Sequence, residues 1–278
     1  MPAVRQRESV TASPRSDAPQ VRPTFRRSLG WGYLLPVGTV ALLCAVWQGL
    51  VMAFRVSPIL LPSPVATVSS IVSQPGLFAR DTGVTLLEVL LGFVAALVVA
   101  LPLAVVVVTW KPVRRAIYPI ILFLQSVPKI ALAPLFLVWL GYGTVPKVLV
   151  ALLTCFFPIF LDSAAGLEAV PEDYISLFRS YEASGPKLLL KLRVPYALPQ
   201  IFVGLKVGIT FAVIGAVVAE FVSAKAGLGF LIASASNTLS TSLAFGGLLV
   251  LTVLSIVLFY AVAALEVMVM PWRRSQRK

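Results

Sequence analysis

Histidine is absent from this chain. Its absence removes the side chain that most often serves as general base or metal ligand near neutral pH. Cysteine occurs twice, at Cys44 and Cys155, both inside apolar runs, so no disulfide framework is indicated. Charge is scarce: Asp, Glu, Lys and Arg make up 12% of the residues, against about a quarter in a soluble domain. Acids are scarcest, 11 against 23 basic residues, for a net charge of +12. There is no tandem repeat, and no glycine-rich loop ending in Gly-Lys-Ser/Thr that would cradle nucleotide phosphates. With no metal-spaced ligands and no nucleophile–base pair, an intramembrane enzyme has little support.

What is abundant is apolar surface. Of the 278 residues 59% are hydrophobic, and mean hydropathy is +0.95. This is the composition of a membrane-embedded chain, and its span-length apolar runs predict an all-α fold. A helix crosses the hydrocarbon core with about 20 mostly apolar residues. Six segments qualify, near 31–54, 83–110, 118–140, 147–169, 201–223 and 244–270. The third carries Gln125, Pro128, Lys129 and Pro134, and is expected to be broken or to lie along a polar path. Between the last two lies a semi-polar stretch rich in small residues, read as a re-entrant or surface helix. Gly227 and Gly229 at its start are read as turn glycines.

The basic residues follow topology. With the N-terminus inside, cytoplasmic segments hold Arg5, Arg7, Arg15, Arg22, Arg26 and Arg27, then Lys111, Arg114 and Arg115. They also hold Arg179, Lys187, Lys191 and Arg193, and finally Arg273, Arg274, Arg277 and Lys278. The other side holds Arg55, Arg80, Lys147 and Lys225. The positive-inside rule then puts both termini in the cytoplasm and accounts for the net charge without nucleic acid. Residues 1–28, rich in Pro, Ser and Arg, are expected to be a disordered cytoplasmic tail, and 29–278 the six-span domain.

One cytoplasmic segment, 170–199, is too long and patterned for a simple turn. Pro171 suits a first helical position, with Glu172 and Asp173 in the first turn, where the helix dipole favours acids. Tyr174, Leu177, Phe178 and Tyr181 recur at i, i+3, i+4 and i+7, making one apolar, aromatic face. Gly185-Pro186 then reads as a stop, followed by a short basic helix, Lys187 to Val194. Two uses suit such a helix: resting on the inner leaflet, or docking into a protein groove.

Inside the spans, a charge at the membrane centre costs about 2.5–3.5 kcal/mol on insertion scales and should face protein or water. Lys129, with Gln125, Ser126 and Pro128, is the candidate lining of a path for a polar or anionic solute; the alternative is that Lys129 snorkels outward or pairs with Glu88 or Asp162. Glu220 and Glu266 lie near span ends and read as interfacial or structural. Lys206 is expected to snorkel. Gly204 and Gly208 form a small-residue face for close helix packing, within one subunit or between two.

The flanking segments resemble a known family. Gln125-Ser126-Val127-Pro128-Lys129 running on to Gly141-Tyr142-Gly143, with Leu61-Pro62-Ser63-Pro64, Thr85-Leu86-Leu87, Leu91-Gly92-Phe93, Phe156-Phe157-Pro158-Ile159, Ala165-Gly166-Leu167, Ala219-Glu220-Phe221, Gly227-Leu228-Gly229-Phe230 and Pro271-Trp272-Arg273-Arg274, is similar in order and spacing to the permease subunits of ATP-binding-cassette importers. The likeness covers about 60–275 and is to the nitrate, sulfonate and taurine branch of the binding-protein-dependent permeases. It implies the type I importer permease fold with six transmembrane helices in a bacterial inner membrane. It also implies a second permease copy, a cytoplasmic ATPase dimer that binds ATP and Mg, and an extracytoplasmic solute-binding protein; the chain itself holds no cofactor. The implied substrates are sulfonate-, taurine- or nitrate-like solutes, or a pyrimidine precursor.

The resemblance identifies 170–199 as the loop that couples permease to ATPase, with Tyr174, Leu177, Phe178, Arg179, Tyr181, Glu182, Ala183, Ser184, Gly185 and Pro195 as its coupling residues. The family pattern is Glu-Ala-Ala, three residues, Gly, nine residues, then Ile-x-Leu-Pro. Anchored on Leu192-Arg193-Val194-Pro195, it puts the family's glycine at Glu182 and its Glu-Ala-Ala at Ser176-Leu177-Phe178. The Glu-Ala-Ser-Gly at 182–185 is out of register. The competing class is an ion-coupled secondary transporter relaying through Glu88, Asp162, Glu220 and Glu266.

Overall fold

A computed structural model describes residues 31–223 and 225–271 of the chain. The expected N-terminal tail lies outside the described residues, as do the basic residues of the C-terminus. No strand occurs among the described residues. Eleven α-helices are described: α1 (Trp31–Ala53), α2 (Pro64–Ser73), α3 (Pro75–Thr109), α4 (Lys111–Ser126), α5 (Ala133–Leu140), α6 (Thr144–Glu168), α7 (Glu172–Ser180), α8 (Gly185–Leu188), α9 (Val194–Ser223), α10 (Leu228–Asn237) and α11 (Thr241–Val269). The chain divides into two compact units, Met1–Val46 and Trp47–Lys278. The described part of the first is the N-terminal stretch of α1. The second begins inside α1 and contains everything that follows.

Four helices are each long and apolar enough to cross a membrane: α3, α6, α11 and the continuous run Gly185–Val222 that includes α9. The pair Lys111–Ser126 and Lys129–Leu140, bent by 80°, makes a fifth, broken span. The remaining expected span corresponds to α1, 23 residues long. Three expected boundaries move, the second span starting at Pro75 instead of near 83. The third span starts at Lys111, because Pro112 fits the first turn of α4, where a missing N–H is harmless. The fifth starts at Gly185 instead of near 201. There Gly185-Pro186 opens a helix, again with Pro in the first turn, and the basic segment runs on into α9. The join is a π-helical stretch, Leu189–Arg193. A wide turn just ahead of Pro195 accommodates a ring that would otherwise meet the carbonyl four residues back.

Three spans form the centre of the second unit, with α6 packed against α3 on one side and α9 on the other. Apolar side chains gain little from leaving lipid for protein, so close approach through small residues takes over. A Cβ at Gly92 of α3 would sit 2.6 Å from the Ala151 Cβ of α6. A Cβ at Gly204 of α9 would sit 2.7 Å from the Asp162 Cβ, and one at Gly208 would sit 2.6 Å from Ile159 Cγ1. The glycine face of α9 is thus spent on α6 within the subunit. Around these crossings the core is filled by Phe93, Ala96, Ala100, Phe160, Leu167, Ile209 and Ala212, all buried. Ahead of α3, Ser63 caps α2 by accepting the Ala66 N–H at 3.2 Å, with Pro64 as first helical residue.

Candidate translocation path and coupling helix

The break in the third span is written in its prolines. The residue before a proline is pushed out of the helical region, and Val127 before Pro128 is extended (φ −67°, ψ 129°). A 3₁₀ turn, Lys129–Leu132, follows, and Pro134 then sits in the first turn of α5. The bend opens a cavity of about 440 Å³. Its lining comes from Gln125, Ser126, Val127, Pro128, Lys129 and Ile130 at the break, Thr154, Phe157 and Pro158 of α6, and Phe211 and Ile214 of α9. All four sequence-predicted path residues therefore border one cavity.

Lys129 is half-buried there. Its Nζ donates to the Gln125 carbonyl at 2.5 Å and lies 4.4 Å from the Phe157 ring centroid, a cation–π distance. Neither expected carboxylate partner serves it. Glu88 pairs with Lys147, and Asp162 accepts from Gln200 Nε2 at 2.9 Å. Both carboxyls are occupied on other helices, leaving the Lys129 ammonium to carbonyl and aromatic partners. Thr154 ties the wall together, its Oγ lying 3.0 Å from the Phe211 carbonyl of α9. Lys206, expected to snorkel, instead donates to Glu266 Oε2 of α11 at 2.7 Å. The two side chains are only partly exposed, and an ion pair inside the bundle replaces contact with the interface.

The coupling segment forms at the far end of α6. α7 spans Glu172–Ser180, one residue later than expected, with Pro171 as its N-cap and Glu172 and Asp173 in the first turn. Its predicted apolar face divides. Ile175, which the periodicity passed over, is the buried anchor at 4% exposure, and Phe178 is half-buried beside it. Tyr174, Leu177 and Tyr181 stand 52%, 51% and 79% exposed. Nearby, Arg114 at the start of α4 pairs with Glu168 at the end of α6 at 2.8 Å.

The end of α7 is specific. Ala183 N–H donates to the Phe178 carbonyl at 3.2 Å and Glu182 N–H to the Arg179 carbonyl at 2.9 Å. These are the two bonds of a Schellman motif, whose residue after the cap takes the left-handed conformation that glycine usually supplies. That residue is Glu182, at φ +52°. The position that the family register assigns to glycine has glycine's backbone geometry, with a glutamate in place. Ser184 is the N-cap of α8, Gly185 its first residue, and Pro195 lies just inside α9.

Sequence reasoning missed one grouping. Thr85, Glu88, Lys147 and Glu220, spread over 136 residues of sequence from 85 to 220, come together in the core. The signal available was their burial-incompatible chemistry in otherwise apolar helices.

A broken span around a cavity, with an anchored but half-exposed helix joining two spans, defines a membrane permease. Residues 89–275 match the family described as binding-protein-dependent transport system inner membrane component, and the chain belongs to it. It is similar to the formylaminopyrimidine transport permease protein ThiX of Halalkalibacterium halodurans, 34% identical over 79% of this chain and 88% of that one. It is also similar to the taurine transport system permease protein TauC of Escherichia coli, 29% identical over 90% of this chain and 94% of that one. The fold matches a chain of the inward-facing MetNI methionine ABC transporter, with TM-score 0.62 and 18% identity over 70% of this chain and 96% of that one. The protein is an ABC importer permease subunit, a component of a transporter and not an enzyme.

Proposed function

We propose that the chain forms one half of the transmembrane path of an importer for a small polar or anionic solute, and that α7 receives the stroke of a cytoplasmic ATPase dimer that binds ATP and Mg. A second copy of the chain supplies the other half, since alternating access rocks two related halves about a site between them and this chain has no internal repeat. A solute-binding protein delivers the substrate from outside. In this reading the protein sits in a bacterial inner membrane with both termini in the cytoplasm, a placement that the distribution of Lys and Arg supports.

The observation that carries the reading is the exposed Tyr174, Leu177 and Tyr181 face on a helix whose opposite side is anchored by Ile175. Aromatic residues flanked by mixed charge, with Glu172, Asp173, Arg179 and Glu182 close by, suit a protein groove better than an anionic lipid surface. Lys129 at the cavity supports an anionic or polar cargo, and two relatives bear names of polar solutes, a formylaminopyrimidine and taurine. Uptake and ATPase recruitment in membrane vesicles carrying the whole importer test the assignment. Leu177→Arg is expected to cut uptake at least tenfold and release the ATPase, with normal amounts of folded permease; undiminished uptake would remove α7 from the coupling route.

A further inference from the structure

At the opposite end of α6 and α9 from α7, four polar side chains are buried among three spans. Thr85 and Glu88 come from α3, Lys147 from the start of α6 and Glu220 from the end of α9. Thr85 and Glu88 are 0% exposed, Glu220 1% and Lys147 6%. Their hydrogens can be assigned. Thr85 Oγ accepts the Leu228 N–H at 2.8 Å, so its own proton goes to Glu220 Oε1 at 2.7 Å. Glu220 Oε2 accepts the Gly229 N–H at 2.5 Å. Lys147 Nζ donates to Glu88 Oε1. The other Glu88 oxygen, Oε2, is fully buried and has no donor, and Glu88 stands one turn along α3 from Thr85, the residue bonded to Glu220.

Two irregularities remain. Two carboxylates gathered about one ammonium leave an odd negative charge among side chains at most 6% exposed, a strongly unfavourable state. Glu88 Oε2 is also a buried acceptor with no donor, and like charges gathered in one buried cluster do not both ionise. One proton removes both. We propose that Glu88 and Glu220 share one proton and, with Lys147 and Thr85, form a charge-neutral latch that clamps the α9–α10 turn against α3 and α6. The proton belongs to the pair and not to either residue alone.

The turn is shaped for this latch. Gly227 sits at φ +118°, and a Cβ at Gly229 would lie 2.7 Å from Glu220 Oε2 and from the Val217 carbonyl oxygen. Of the other titratable groups nearby, Lys225 and Tyr142 line a cavity of about 270 Å³ beside Glu88 and Lys147. Asp81 is buried two turns earlier on α3. Lys225 is exposed, and among the described residues no ion pair joins it to either carboxyl.

Infrared spectra of the full chain in lipid nanodiscs at neutral pH test the shared proton. The wild type is expected to show the carbonyl stretch of a protonated carboxylic acid, shifting in D₂O, and both Glu88→Gln and Glu220→Gln are expected to lose it. Its absence from the wild type, or its survival in both variants, overturns the proposal. Thermal unfolding gives an independent readout. The Glu88→Gln amide can donate to Glu220 and accept from Lys147, so Tm should stay within about 3 °C, whereas Lys147→Met breaks the buried pair and should lower it by about 10 °C. A loss in Glu88→Gln as large as in Lys147→Met overturns the proposal as well.

Discussion

Glu182 shows what one residue contributes and what it gives up. A side chain in the left-handed region carries a penalty of about 1–2 kcal/mol, part of which glycine would return through its freer unfolded state. Glu182→Gly should therefore stabilise the turn after α7 by about 1 kcal/mol, raising Tm by about 2–4 °C in a chain of this size. Uptake should be retained, because the two hydrogen bonds that close the turn use backbone atoms alone. Thermal unfolding of both forms in the same lipid, beside an uptake assay, checks this; a lowered Tm would mean that the glutamate side chain itself holds the turn. The register behind this prediction was legible in the sequence through the spacing to Pro195, even though the family's letters are mostly missing.

At the scale of elements, the sequence reading was strongest where periodicity and composition act over many residues, and weakest at boundaries set by proline. Pro128 broke the third span as expected, whereas Pro186, expected just ahead of the short basic helix, occupies that helix's first turn. Proline's missing N–H is damaging inside a helix and harmless at its start, so the residue alone does not say which applies. The packing partner of the α9 glycines was equally hidden, since small residues announce close approach but not what approaches. The structure resolves it in favour of α6. At Gly215 a Cβ would lie 2.9 Å from Ala151 Cα and 3.0 Å from the Val150 carbonyl oxygen, backbone atoms that cannot turn aside. Gly215→Val should push α9 off α6 and destabilise the protein by about 1–3 kcal/mol, in the range of overpacked cores. It should also distort the cavity, because the Thr154–Phe211 bond lies at the same crossing. Yields of monodisperse protein and Tm measure the first effect, and uptake per folded molecule the second.

For the whole molecule, the path residues Gln125, Ser126, Pro128 and Lys129 were legible because a charge among prolines in an apolar span has few structural uses, and they do border a cavity. The partners of the buried carboxylates were not legible, since pairing joins residues far apart in sequence and depends on how the helices rotate against one another. Those partners bear on the energy source. An ion relay needs membrane carboxylates that can exchange protons or ions along a route. Glu88 is bonded to Lys147, Asp162 to Gln200, Glu220 to Thr85 and Gly229, and Glu266 to Lys206. Each holds two elements of the bundle together, so cycling any of them through ion exchange would loosen the scaffold that transport requires. Uptake by cells or vesicles carrying the importer should therefore stop when ATP is depleted with the proton gradient intact, and continue when an uncoupler collapses the gradient while ATP is maintained. The reverse pattern would return the chain to the ion-coupled class despite its permease fold. It would require at least one of the four pairs to open in every cycle, which charge-reversed Lys206→Glu/Glu266→Lys would expose by abolishing uptake even though the ion pair is restored.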